Sequence, residues 1–145
     1  MRIDSFLQQS PVFQASRIAR RMESSLNAAL RQEGLTFSES LMLAAIFLEK
    51  TSVRPSELAL SFETTRGNVS HAVSSLEAKR LVRRRIDPED ARGFRLELEP
   101  AGKRRAARVV GILDRMQARL EKELGAAKLE TMLRQLNAVE QLTRE

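Results

Sequence analysis

The sequence predicts a mainly helical chain with one small two- or three-stranded β-hairpin, and three observations predict it. Apolar residues recur at helical spacing over most of the 145 residues. The period changes to two only within residues 81–98. Proline, glycine and capping residues fall at the joints between the periodic stretches.

Taken in order, Ser10-Pro11 is a helix start, because Ser can cap and Pro fits the first helical position. Ile18, Met22, Leu26 and Leu30 then repeat every four residues, and Gly34 stands where a left-handed helix stop is expected. Thr36 and Glu39 have capping-box spacing and open residues 41–48, a stretch apolar nearly all round and therefore read as a buried helix. Thr51-Ser52 breaks it. Pro55 begins a short third helix, Pro55–Ser61, expected to pack through Leu58 and Leu60. Thr64-Thr65 caps a fourth, running to about Lys79, with Val69, Ala72, Val73 and Leu76 on one side. Gly67, Ser70, His71, Ser74 and Ala78 point the other way. That face is small, polar and almost free of acids, as suits a helix that lies close against another surface.

Residues 81–86 and 94–98 alternate as strands, and 87–93 supply turn residues for a hairpin tip. After Pro100 the helical period returns through Ala106, Val110, Leu113, Met116 and Leu120. Gly125 interrupts it, and Leu129, Leu133, Leu136 and Leu142 form a last stripe.

Composition narrows the function. Cysteine is absent, which excludes disulfides, thiolate metal sites and thiol redox switches. The single His leaves no multi-histidine metal site. No apolar run is long enough to span a membrane, and no signal peptide is visible, so a cytoplasmic protein without a membrane partner is expected. No nucleophile–base pair, phosphate loop or metal cluster stands out; the chain is not expected to be an enzyme, and no cofactor or metal is expected. Of the net charge of +6, residues 54–108 carry +5, while 1–53 carry +1 and 109–145 carry none. A basic centre between near-neutral helical flanks fits a polyanion-binding module.

Three short helices, a hairpin and that basic bias describe a winged helix-turn-helix, in which one helix fits the DNA major groove and a hairpin reaches the backbone or minor groove. Leu58-Ala59, the run from Val69 to Val73, Leu76-Glu77 and Leu81-Val82 carry a closer likeness. Arg84, Asp87-Pro88-Glu89-Asp90-Ala91-Arg92-Gly93, Leu96, Leu98 and Gly102 extend it. Over residues 36–108 the chain resembles the MarR family of bacterial transcription regulators. The resemblance implies a homodimer: residues 1–35 and 100–145 form a helical dimerisation platform, and residues 36–99 form the DNA-binding winged helix. The terminal stripes agree, being too long and apolar to be satisfied within one small lobe.

The resemblance puts Arg92 in the minor groove or on the backbone at the wing tip, with Asp90 steadying it by a side-chain pair; narrow A·T-rich grooves favour a cation there. Ser70, His71 and Ser74 face outward for bases or phosphate, His71 standing where the family often has Arg or Lys. Thr64, Thr65, Arg66 and Asn68 cluster at the helix N-terminus, whose free N–H groups suit phosphate, although at least one Thr serves as a cap. Arg83, Arg84 and Arg85 alternate faces, so one or two of them, Arg84 foremost, are expected on phosphate and the rest solvated or paired with acids.

The chain departs from the family pattern at Arg80 (usually Gly), Ala91 (often basic) and Glu99 (usually Thr). The expected function is that of a sequence-specific double-stranded DNA-binding regulator, a ligand-responsive repressor acting as a homodimer on a near-palindromic operator, cytoplasmic and nucleoid-associated, with an unidentified small-molecule effector. The lack of Cys argues against the thiol-oxidation branch, and the lone His against the metal-sensing branch. The rival reading is a winged-helix adaptor that binds protein and not DNA.

Overall fold

The computed structural model describes residues 2–49 and 51–144. In chain order these form α1 (Arg2–Gln9), α2 (Pro11–Leu30), a 3-10 turn (Arg31–Glu33), α3 (Phe37–Leu48), α4 (Pro55–Ser61) and α5 (Arg66–Ala78). Strands β1 (Val82–Asp87) and β2 (Asp90–Leu98) follow, then α6 (Pro100–Leu124) and α7 (Ala126–Leu142). The chain divides into two units, one spanning Ala29–Leu113 and the other formed by residues up to Ala28 and from Asp114 onward.

Local chemistry sets the helix ends of the first unit. The Thr36 hydroxyl accepts the Glu39 N–H (3.2 Å) and the Glu39 carboxylate accepts the Thr36 N–H (3.1 Å), closing the expected capping box at α3. Pro55 opens α4, and the Glu57 carboxylate accepts the Arg54 N–H at 2.7 Å. At the end of α5, the Arg80 N–H donates to the Glu77 carbonyl and the Leu81 N–H to the Leu76 carbonyl. This is a Schellman stop with Arg80, at φ 56, in the left-handed position that glycine usually fills. Leu76 and Leu81, both buried, supply the apolar contact that goes with it.

The core of this unit joins Leu30, Leu43, Val69, Val73, Leu76, Leu81, Leu96 and Val109, all essentially solvent-free. Each such side chain contributes roughly 1.5–3 kcal/mol. Leu58 takes part, but Leu60, expected to pack, is exposed. One close approach has no side chain to cushion it. A Cβ on Gly102 would sit 1.9 Å from the Leu81 carbonyl oxygen, so only glycine admits the first turn of α6 here. The same carbonyl accepts the Glu99 N–H at 2.9 Å.

The strands pair antiparallel from Val82↔Leu98 to Ile86↔Phe94, then shift register to Asp87↔Asp90. The loop is therefore only Pro88-Glu89, tighter than the turn expected over 87–93. Asp87 turns the chain by accepting the Glu89 N–H at 3.0 Å, which frees residues 90–93 to continue the strand. Val53 adds a single bridge to Leu96, which is as far as a third strand develops.

The second unit, taken by itself, has no buried residue in α1 or α7, nor in the parts of α2 and α6 that belong to it. Helix α1 was not anticipated, because eight residues are too few for a period to stand out. Its Phe6 is 65% exposed. Ile18 and Met22 of α2, Met116 and Leu120 of α6, and Leu133 and Leu136 of α7 also stand in solvent. No helix among the described residues is long and apolar enough to cross a membrane.

Candidate nucleic-acid interface

Thr65 caps α5 by accepting the Asn68 N–H at 3.1 Å, and the Asn68 side-chain amide donates to the Thr64 hydroxyl at 3.0 Å. These three residues are first of all a cap that fixes the angle at which α5 begins. Arg66 follows in the first turn, exposed and with no carboxylate partner among the described residues. Along the outer face Ser70 and His71 are exposed, as are Gly67 and Ala78, while Val69, Ala72, Val73 and Leu76 are buried on the inner face. The face is thus small and polar, with Glu77 the one acid at its edge.

Ser74 and Arg84 also contact each other. The Arg84 guanidinium donates to the Ser74 hydroxyl at 3.1 Å, pairs with Glu77 at 3.0 Å, and lies 4.6 Å from the centre of the Phe94 ring. Arg84 therefore bolts the wing to α5. Arg83 and Arg85 are also engaged, both with Glu97 at 2.9 Å. The triple-arginine strand is an ion-paired ladder with no free guanidinium.

At the wing, the Asp90 carboxylate accepts the Arg92 backbone N–H at 3.0 Å. Asp90 thus steadies the backbone at the tip rather than the guanidinium, which is exposed and has no ion-pair partner among the described residues. Behind the tip lies a network that sequence reading did not single out. The Asp87 side chain is 1% exposed; Arg54 donates to one of its oxygens at 2.6 Å and Arg95 to the other at 3.1 Å. Glu89 takes a second nitrogen from each arginine, at 2.6 and 3.2 Å. Hydrogen bonds from Arg54 and from the Glu89 N–H outweigh burial and hold the Asp87 carboxyl well below the usual carboxylate range. A second buried carboxylate, Glu39, ties α3 to the end of α5. Burial pushes its pKa up, but hydrogen bonds from Lys79 (2.6 Å), Ser75 (2.5 Å) and the Thr36 N–H bring it below its ordinary value.

The charge excess of residues 54–108 is now resolved residue by residue. Arg54, Lys79, Arg83, Arg84, Arg85, Arg95 and Arg108 are spent on carboxylates. Arg66, Arg80, Arg92, Lys103, Arg104 and Arg105 are not ion-paired among the described residues. Two of the free cations, Arg66 and Arg92, stand at the start of α5 and at the wing tip. No cluster able to hold a metal ion occurs among the described residues.

Comparison with known proteins agrees with this architecture. Residues 33–93 match the family model described as the MarR family. Among solved structures, the S. aureus MepR–DNA complex superposes with a TM-score of 0.82 at 20% identity, over 94% of this chain and 99% of that one. The M. tuberculosis transcriptional regulator MosR in complex with DNA gives 0.73 at 25% identity, over 94% and 100%. CouR from Rhodococcus jostii RHA1, bound to p-coumaroyl-CoA, gives 0.77 at 21% identity, over 92% and 93%. A comparison with curated protein sequences finds no match.

Proposed function

We propose that this chain, whose residues 33–93 carry a winged helix of the MarR family, is a sequence-specific double-stranded DNA-binding transcription regulator. The observation that carries the reading is the small, polar outer face of α5, with Glu77 alone at its edge, and Arg66 and Arg92, not ion-paired among the described residues, at its start and at the wing tip. An α-helix of this kind enters the major groove with its N-terminal turns on base edges, and a cation at the wing tip suits a narrow minor groove. Ser70 and His71 read bases or phosphate; Arg66, near the positive end of the helix, meets phosphate. Thr64, Thr65 and Asn68 orient that end, and Ser74, Arg84 and Asp90 brace the two reading elements. The DNA complexes of MepR and MosR support this reading.

The regulator acts as a homodimer, with residues 1–35 and 100–145 forming the dimerisation region and residues 36–99 reading DNA. The exposed stripes of α1, α2, α6 and α7 support the pairing, because apolar surface on that scale is normally covered. Two recognition helices roughly 34 Å apart read a near-palindromic operator. A repressor released by a small molecule is the regulatory form we favour, supported by the acyl-CoA bound to CouR. Its place of action is the cytoplasm, at the nucleoid.

Binding to mixed-sequence duplex over a range of salt tests the reading. Log affinity is expected to fall linearly with log salt, with a slope near −0.9 per phosphate contact. No binding at low salt would overturn it and leave a protein-binding adaptor. Selection from random duplexes is expected to return inverted repeats spaced by about one turn.

A further inference from the structure

The wing is a two-stranded ribbon with a two-residue loop, and such ribbons do not hold a fixed tilt unaided. Something must aim it. On one face Arg84 ties it to α5. On the other face the Asp87 network ties it to the start of α4. Arg54, at the N-cap of α4, donates through Nε to Asp87 Oδ2 at 2.6 Å; Arg95, on β2, donates through Nε to Asp87 Oδ1 at 3.1 Å and through Nη1 to the Ser52 carbonyl at 3.2 Å. The network sits where the strand register shifts, between Ile86 and Asp87, and Asp87 pairs across the ribbon with Asp90. Asp90 in turn holds the Arg92 backbone. Two cations facing two carboxylates leave it electrically neutral, so neither arginine is free to add to a phosphate footprint.

From this geometry we infer that Arg54 and Arg95 are positioning residues: by clamping the buried Asp87 carboxylate they fix the wing against the start of α4 and set where Arg92 meets DNA. The inference rests on the DNA-binding reading above. It differs from a mere contribution to stability, because a clamp acts on affinity only through Arg92. Truncating an arginine of the clamp should therefore lose the Arg92 contact and nothing else.

Two experiments on the full chain test it. In the first, the affinity for a selected duplex is measured for Arg54→Gln, Arg95→Gln and Arg92→Ala, and for the two clamp variants combined with Arg92→Ala. Thermal melts check that each remains folded. Each clamp variant is expected to weaken binding roughly 3- to 10-fold, and Arg92→Ala roughly 5- to 150-fold. The combined variants should bind no more weakly than Arg92→Ala alone, since coupled residues do not add. Arg54→Lys, which keeps one donor and the charge, should recover part of the loss. Multiplying losses, or no loss in the clamp variants, would overturn the proposal.

The second experiment does not need DNA. The chain has no cysteine, so Ala91→Cys offers a single site for a nitroxide at the wing tip. Its spectrum should sharpen when Arg54→Gln or Arg95→Gln is added. An unchanged spectrum would overturn the clamp. If Arg92→Ala alone left affinity unchanged, the DNA reading of the wing would fail, while the label would still decide whether the clamp holds the tip.

Discussion

The two units of this chain solve the burial problem in opposite ways. Residues 29–113 bring apolar side chains from α3, α4, α5, both strands and the first turns of α6 into one core, and neutralise most of their cations internally. Helices α1 and α7 have no buried residue among those described, and with the outer parts of α2 and α6 they keep apolar stripes in solvent. The first unit carries its folding energy within itself. The second exposes the apolar stripes on which the proposed self-association rests. If the proposed roles hold, DNA contact and self-association are built from different materials, and each can be disturbed without the other.

The most disruptive test is truncation before Arg134, which removes the end of the α7 stripe. The shortened chain is expected to sediment as a monomer while retaining the thermal transition of the winged unit; a dimeric product would remove that segment from the interface. Next comes a contrast of glycines. Gly102→Ala drives a Cβ into the Leu81 backbone and is expected to cost about 2–4 kcal/mol in urea unfolding. Gly125→Ala, in the other unit, meets nothing within 4 Å and carries only the backbone strain of φ 81, ψ 148, a region essentially confined to glycine, of order 1–3 kcal/mol. No loss of stability in Gly102→Ala would mean that the approach to Leu81 is not tight.

Arg92→Ala is expected to weaken cognate binding by about 1–3 kcal/mol and to leave self-association unchanged. Arg80→Gly should raise the stability of the winged unit by about 1 kcal/mol, because it relieves a left-handed non-glycine residue; a lower melting temperature would show that the Arg80 side chain contributes more than its backbone strain removes. The last test is the acid response. The Asp87 carboxyl has a folded pKa below its unfolded value, so its stabilisation is fully present above about pH 5 and is lost as pH falls through the carboxylate range. Asp87→Asn should flatten the fall in stability between about pH 5 and pH 2; an equally steep fall would assign the acid sensitivity elsewhere, with Glu39 the next group to test.

Legibility in the sequence followed the range of the interactions. Caps act over three or four residues, so Thr36 with Glu39, Pro55 and Thr65 marked α3, α4 and α5 closely. The outer face of α5 followed from its angular spacing, whereas Arg80, a departure from the family's Gly, gave no reason to expect the left-handed turn that it nevertheless adopts. Interactions across long separations were hidden. Nothing near Arg54 points to a carboxylate 33 positions away, and nothing in the triple-arginine run says that Glu97 and Glu77 neutralise it. Alternation did say that Arg83 and Arg85 share a face, and the acid at Glu97 was the available clue. The net charge gathers in residues 54–108, but ion pairing among the described residues leaves few of those cations unpaired.

The contact between Gly102 and the Leu81 carbonyl has a mechanical consequence. Side-chain packing has play in it, since rotamers can shift to absorb a small rotation. Backbone against backbone has none. Leu81 also closes the end of α5 through its N–H, so the foot of α5 and the first turn of α6 form one joint with a single residue as its pin. Any torque applied to the first turn of α6 reaches α5 undamped.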